Sequence, residues 1–222
     1  MTFASGSKVR AVDLNQVTVQ VCTSGTHPAS PAAGEPIFET DTGLSANYNA
    51  TSSTFSYELG QIAPTQVLVG TTASVTFSNI PAVTRLLWLW RGRSSAAGLV
   101  DVEMQFDGNT GTNYLWSKGG SNNGASAAAH SAAAVAFMKI GIADGTTASY
   151  FSSGRLDIDG WSQSTGFATA SGTGTLFSTT TSDAAEVYAG QFNVVGPHSS
   201  IKVLLSANSF AAGSQFSLYG GM

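Results

Sequence analysis

Few side chains in this sequence are grouped in a way that supports chemistry. The densest group is Trp88, Trp90, Arg91 and Arg93. Indole faces and guanidinium groups both stack on sugar rings and on partner side chains, so these four are candidate contacts for a glycan or a protein partner. The simpler account, which the apolar run from Arg85 to Trp90 favours, places the tryptophans in a core and the arginines at a strand end. Asp157 and Asp159 are two apart and share one face of a strand, with Glu103 as a third carboxyl elsewhere. A glycosidase needs two carboxyls lining one cleft, whereas strand neighbours of this type usually form a solvated face. His27, His130 and His198 are widely separated and lack the convergent spacing of metal ligands. The segment Asp107 to Gly111 has oxygens at alternate positions, as calcium loops do, but lacks their downstream Glu and reads as a hairpin turn. No Ser sits in a G-x-S-x-G elbow. The expectation is therefore a protein with no catalytic residue, no cofactor and no metal ligand.

The elements that would carry these residues are strands. Val100, Val102, Met104 and Phe106 alternate with Asp101, Glu103 and Gln105, the period of a strand with one buried and one wet face. Similar patterns recur near 74–80, 84–91, 112–117, 135–141, 155–160, 165–178, 186–194, 200–206 and 214–219. Gly, Ser and Asn separate them, which predicts an all-β fold: a jelly-roll-like antiparallel β-sandwich over residues 74–222. Two stretches interrupt the pattern. Residues 117–134, SKGGSNNGASAAAHSAAA, read as a long surface loop, and 162–183, rich in Ser, Thr and Gly, read as edge strands that another subunit could complete.

The first 60 residues read as a separate small module. Val9, Ala11, Val12 and Leu14 suit a short amphipathic turn or helix, and Val17, Val19 and Val21 alternate as a strand. The run from Gly25 to Gly34 carries no apolar side chain larger than alanine apart from its prolines and reads as an extended connector. Short strands anchored by Ile37, Tyr48, Phe55 and Tyr57 would flank the turn Asp41-Thr42-Gly43. That triplet is also an aspartic-protease signature, but no second copy exists to supply the other carboxyl. Residues 61–73, with Pro64, read as a linker between module and sandwich.

Composition narrows the partners. The 222 residues include 9 Lys and Arg against 13 Asp and Glu, a formal charge of −4 with no basic run, which argues against nucleic acid. With 42% apolar residues and 10% charged, the chain can bury a core. One cysteine, Cys22, excludes an intrachain disulfide. The N-terminal residues lack the apolar core of a signal peptide, and no run approaches the roughly 20 apolar residues of a membrane span, so synthesis in a cytoplasm is expected.

Four passages together resemble a tailed-bacteriophage virion protein of the minor-tail, fibre or capsid-decoration kind. They are Phe3 to Gly6 leading to Ala11 through Asn15; Pro36 to Gly43 followed by Tyr48-Asn49; Phe77 to Pro81 running to Asp107 through Tyr114; and Phe210 to Gly220. The resemblance implies synthesis in the bacterial host cytoplasm and residence on the virion surface as a homo-oligomer, most often a homotrimer. It implies that residues 1–60 attach to other virion proteins of the capsid or tail, with Phe3, Val9 and Leu14 as anchoring positions. The distal sandwich would then project outward, as a capsid decoration, head fibre or tail fibre, toward host surface glycans. A carbohydrate-active depolymerase of the virion is the alternative.

Overall fold

The computed structural model describes residues 19–23, 25–33, 35–40, 45–49, 54–57, 59–122, 128–176 and 184–221. The chain divides into two compact units between Gly60 and Gln61. The expected helical turn at Val9 to Leu14, the anchoring positions Phe3, Val9 and Leu14, and the Asp41-Thr42-Gly43 triplet lie outside the described residues.

The smaller unit is a four-stranded sheet in the order β1 (Gln20–Cys22), β2 (Pro36–Glu39), β3 (Ser45–Asn49) and β4 (Thr54–Tyr57). β1 runs parallel to β2, and the other pairs are antiparallel. Ile37 and Ala46 are register partners and both are buried, which makes them the covered centre of the sheet. The Glu35 carboxylate closes the connector, accepting hydrogen bonds from the Ala32 amide (2.6 Å) and the Gln20 side chain.

The larger unit has two sheets. One holds eight strands in the order β10 (Ala128–Val135), β9 (Tyr114–Asn122), β14 (Ala184–Val195), β13 (Phe167–Leu176), β12 (Ser152–Asp159), β7 (Arg85–Gly92), β16 (Gln215–Gly221) and β5 (Gly60–Val67). The other holds β11 (Met138–Asp144), β8 (Leu99–Phe106), β15 (Ile201–Leu205) and β6 (Ser74–Phe77). Setting aside β9, β10, β13 and β14 leaves eight strands ordered 5-16-7-12 in one sheet and 6-15-8-11 in the other. That interleaving of first with last and second with second-last is a jelly roll. The four strands set aside arrive as insertions between β8 and β11 and between β12 and β15, and they widen one sheet beyond the roll.

Alternation dictates which side of each strand is covered. Leu86, Trp88 and Trp90 of β7, Leu156 and Ile158 of β12, and Phe216 and Leu218 of β16 all point inward. They meet Val102, Met104 and Phe106 of β8 and Ile201 and Val203 of β15, which face them from the smaller sheet. Trp88 stacks on Trp90 (centroids 5.9 Å apart) and on Phe216 (6.1 Å), while Phe106 makes edge contacts with Trp161 (5.4 Å) and Phe192 (5.5 Å). Each such side chain contributes roughly 1.5–3 kcal/mol on burial, so this double aromatic cluster dominates the core.

Three expectations change. Residues 61–73 are not a linker: β5 joins the large sheet beside β16, bonded through Thr65 and Ser217 hydroxyls (2.9 Å) and through Leu68 N–H to Ser214 C=O (2.9 Å). Pro64 is tolerated because β5 is an edge strand, where a missing N–H need leave no ladder bond unmade. Residues 117–134 are largely the hairpin of β9 and β10 instead of a loop, since Ala, Ser and Gly alternate as readily in a ladder as in a turn. β13 is not an edge strand; it lies between β12 and β14. The turn at Asp107 is real, with left-handed φ at Asp107 (52°) and Gly108 (63°), but it carries the chain from β8 in one sheet to β9 in the other and closes no hairpin.

Candidate functional site

β7 decides the fate of the tryptophan and arginine group. Its inward residues include Trp88 (0% exposed) and Trp90 (4%), so neither indole can receive a ligand, and their proposed glycan contact is corrected to a core role. The outward residues end in Arg91, which is exposed, and Arg93 follows just past the strand. The structure adds a third member that nothing local in the sequence signals. Phe151, immediately before β12, lies beneath both guanidinium groups, with Arg91 Cζ 4.2 Å and Arg93 Cζ 5.7 Å from the ring centroid.

The backbone around this platform is fixed. Arg93 N–H donates to Ser214 Oγ (3.2 Å), and Arg93 C=O accepts from Ala211 N–H (2.8 Å). Gly213 passes close to the Phe151 ring in a left-handed conformation (φ 83°) that a side chain would strain. The charges are the telling feature. Arg85 and Arg155 both pair with Asp157, while Lys139 pairs with Asp101 and Lys118 with Glu186. Arg91 and Arg93 pair with no carboxylate among the described residues. Two uncompensated guanidinium groups over one aromatic ring, in a chain of net negative charge, are suited to a carboxylate or sulfate.

The carboxylates of the depolymerase alternative do not share a cleft. Asp157 and Asp159 project from the outer side of β12, with Asp157 held between Arg85 and Arg155. Burial pushes the Asp157 pKa up, but the two arginines outweigh it and hold it below the usual carboxylate range. Glu103 lies in the other sheet, 5% exposed, on the side of β8 opposite Val102 and Met104. Burial, reinforced by Asp101 and opposed by Lys139, raises its pKa to about 7.

Two further polar groups have structural work. Where the widened sheet passes the edge of the smaller one, Lys118 Nζ donates to Glu186 (3.1 Å) and lies 3.8 Å from Asp101. Tyr188 O–H also donates to Glu186, and Lys139 sits 5.0 Å over the Trp116 ring. At the β8 turn, Asp107 accepts from Ser199 N–H (2.8 Å) and Ser200 N–H (3.1 Å) and bonds His198 Nδ1 (2.7 Å). This tie between two distant loops was invisible in the sequence, where Asp107 and His198 carry no shared pattern. His198 is thus a buried loop clamp packed on Trp161 and Phe192, and His130 is exposed on β10. No helix among the described residues is long and apolar enough to cross a membrane. Comparison with known proteins finds no matching family model, no matching curated protein and no matching solved structure.

Proposed function

We propose that this chain is a non-enzymatic structural protein of a phage virion, displayed on the particle surface as a homo-oligomeric appendage whose jelly-roll head contacts acidic glycans. The observation that carries this reading is the position of the Arg91, Arg93 and Phe151 platform. β5 and β16 run antiparallel, with Ile62 beside Gly220 at one end and Leu68 bonded to Ser214 at the other. Gly60, where the chain passes from the smaller unit into the larger, is therefore at one end of the sandwich, and Arg93, bonded to Ser214, is at the opposite end. The eight residues of β5 separate them by about 26 Å. An anchor at one end and an anion-binding surface at the other is the layout of a displayed head.

The resemblance of the N-terminal segment to phage attachment segments supports anchoring through residues 1–60 to capsid or tail proteins, after synthesis in the host cytoplasm. The engagement of Asp157, Asp101, Glu186 and Asp107 in ion pairs and loop clamps favours a structural role for the carboxylates over the depolymerase alternative. Two measurements test the reading on the full chain. Electron microscopy of particles carrying a label after Met222 is expected to show it on the head or tail surface; unlabelled particles refute the virion assignment. Binding to a sulfated or uronic-acid polysaccharide, compared with a neutral one, is expected to fall about tenfold or more in the Arg91→Ala, Arg93→Ala double variant. Equal binding by the double variant, or equal binding of neutral and acidic chains, refutes the platform.

A further inference from the structure

We infer that the exposed edge of β10 pairs with β10 of a second copy of this chain, joining the two eight-stranded sheets across a two-fold axis. The inference goes beyond the function proposed above and rests on a comparison of the four edges of the two sheets. Natural edges are protected by shortness, proline, bulges or charge. β5 carries Pro64, β6 has four residues, and β11 is bulged between Lys139 and Gly141 and carries that lysine. β10 is eight residues long, reads AAHSAAAV, and contains no proline, lysine, arginine or acid. Its only irregularity is at its end, between Ala132 and Val135, where Ala134 is left-handed (φ 54°). Ala129, His130, Ser131 and Ala133 are exposed.

The occupant follows from charge and from side-chain size. Each copy carries a formal charge of −4, so two copies approach with least repulsion at an uncharged edge. Antiparallel pairing about an axis at Ser131 sets Ser131 opposite itself, Ala129 opposite Ala133, and His130 opposite Ala132. The one large side chain of the strand meets a methyl group on each side of the axis, and no like charges oppose. The pairing is isologous and closes as a dimer, which sets it apart from the three-fold assembly implied by the sequence resemblance.

Light scattering on size-exclusion peaks of the full chain tests this directly. The native chain is expected to run as a dimer of its 22.7 kDa mass. Ser131→Lys places two lysines opposite one another at the axis and is expected to give monomers with an unchanged circular dichroism spectrum. Mixing Ser131→Lys with Ser131→Glu is expected to restore a dimer containing one of each, a rescue that a merely misfolded variant cannot show. A native monomer or trimer, a Ser131→Lys dimer, or failure of the mixed pair to associate overturns the inference.

Discussion

Gly154→Ala should be among the most damaging single-methyl changes in the larger unit. Gly154 is the cross-strand partner of Trp90, and a Cβ there would lie 2.1 Å from Trp90 Nε1, 2.8 Å from Cε2 and 3.0 Å from Thr173 O. Side-chain contacts at that range do not occur, so the indole must move. It has little room, because Trp88 stacks against it and Gly141 of the opposite sheet approaches it so closely that a Cβ would be 2.3 Å from Cζ2. Overpacking of a dense core costs roughly 1–3 kcal/mol, and the clash with both indole and strand places this change at the upper end. Relief of glycine's extra chain entropy offsets about 0.5–1 kcal/mol, leaving a net loss of about 2 kcal/mol. Urea unfolding followed by tryptophan fluorescence measures it as a lowered midpoint at constant slope. Trp90→Leu in the same background should recover part of the loss, since the clash belongs to the indole. A Gly154→Ala midpoint equal to that of the native chain, or strict additivity with Trp90→Leu, refutes the packing argument.

Two carboxyls predict opposite responses to pH. Burial pushes the Asp107 pKa up, but bonds from Ser199, His198 and Ser200 prevail and hold it below 3.8. Its contribution is therefore complete above the unfolded value and disappears as pH falls through the lowered folded one. Asp107→Asn should cost about 1–2 kcal/mol near neutrality and flatten the acid limb of the stability curve below roughly pH 4, as read by chemical unfolding across pH; an unchanged limb refutes it. Glu103, raised from 4.5 to about 7, behaves the other way: stability is complete below 4.5 and is lost as pH rises through 7. Glu103→Gln should leave stability unchanged below that range and increase it by about 1–3 kcal/mol above it. A variant less stable than the native chain above pH 7 refutes the assignment.

The ten strands expected over residues 74–222 all have counterparts, because alternation of large apolar with polar residues is a local signal. What the sequence concealed depends on small residues. Ala168, Ala170, Gly172 and Gly174 on β13 and Gly190 on β14 look uncommitted, yet they form the seat over which β11 crosses. A Cβ at Gly190 would sit 2.5 Å from Met138 Sδ, so its smallness is the complement of a large partner far away in the chain. The same blindness hid β10. The candidate site was half legible: Arg91 and Arg93 stand out by spacing, but whether Trp88 and Trp90 face in or out depends on strand phase, and Phe151 joins them only through the pairing of β7 with β12.

The opposed positions of Gly60 and Arg93 also fix how the larger unit would carry force. With the platform held by a ligand and the chain pulled at Gly60, tension runs along β5 and is handed to β16 through bonds set crosswise to the pull, among them Thr65 to Ser217 and Leu68 to Ser214. Such bonds are loaded side by side, so they must fail together, whereas a pull across the strands would break them one at a time. The edge strand that reads as a linker in the sequence is therefore a lap joint, and Pro64 sits within the joint.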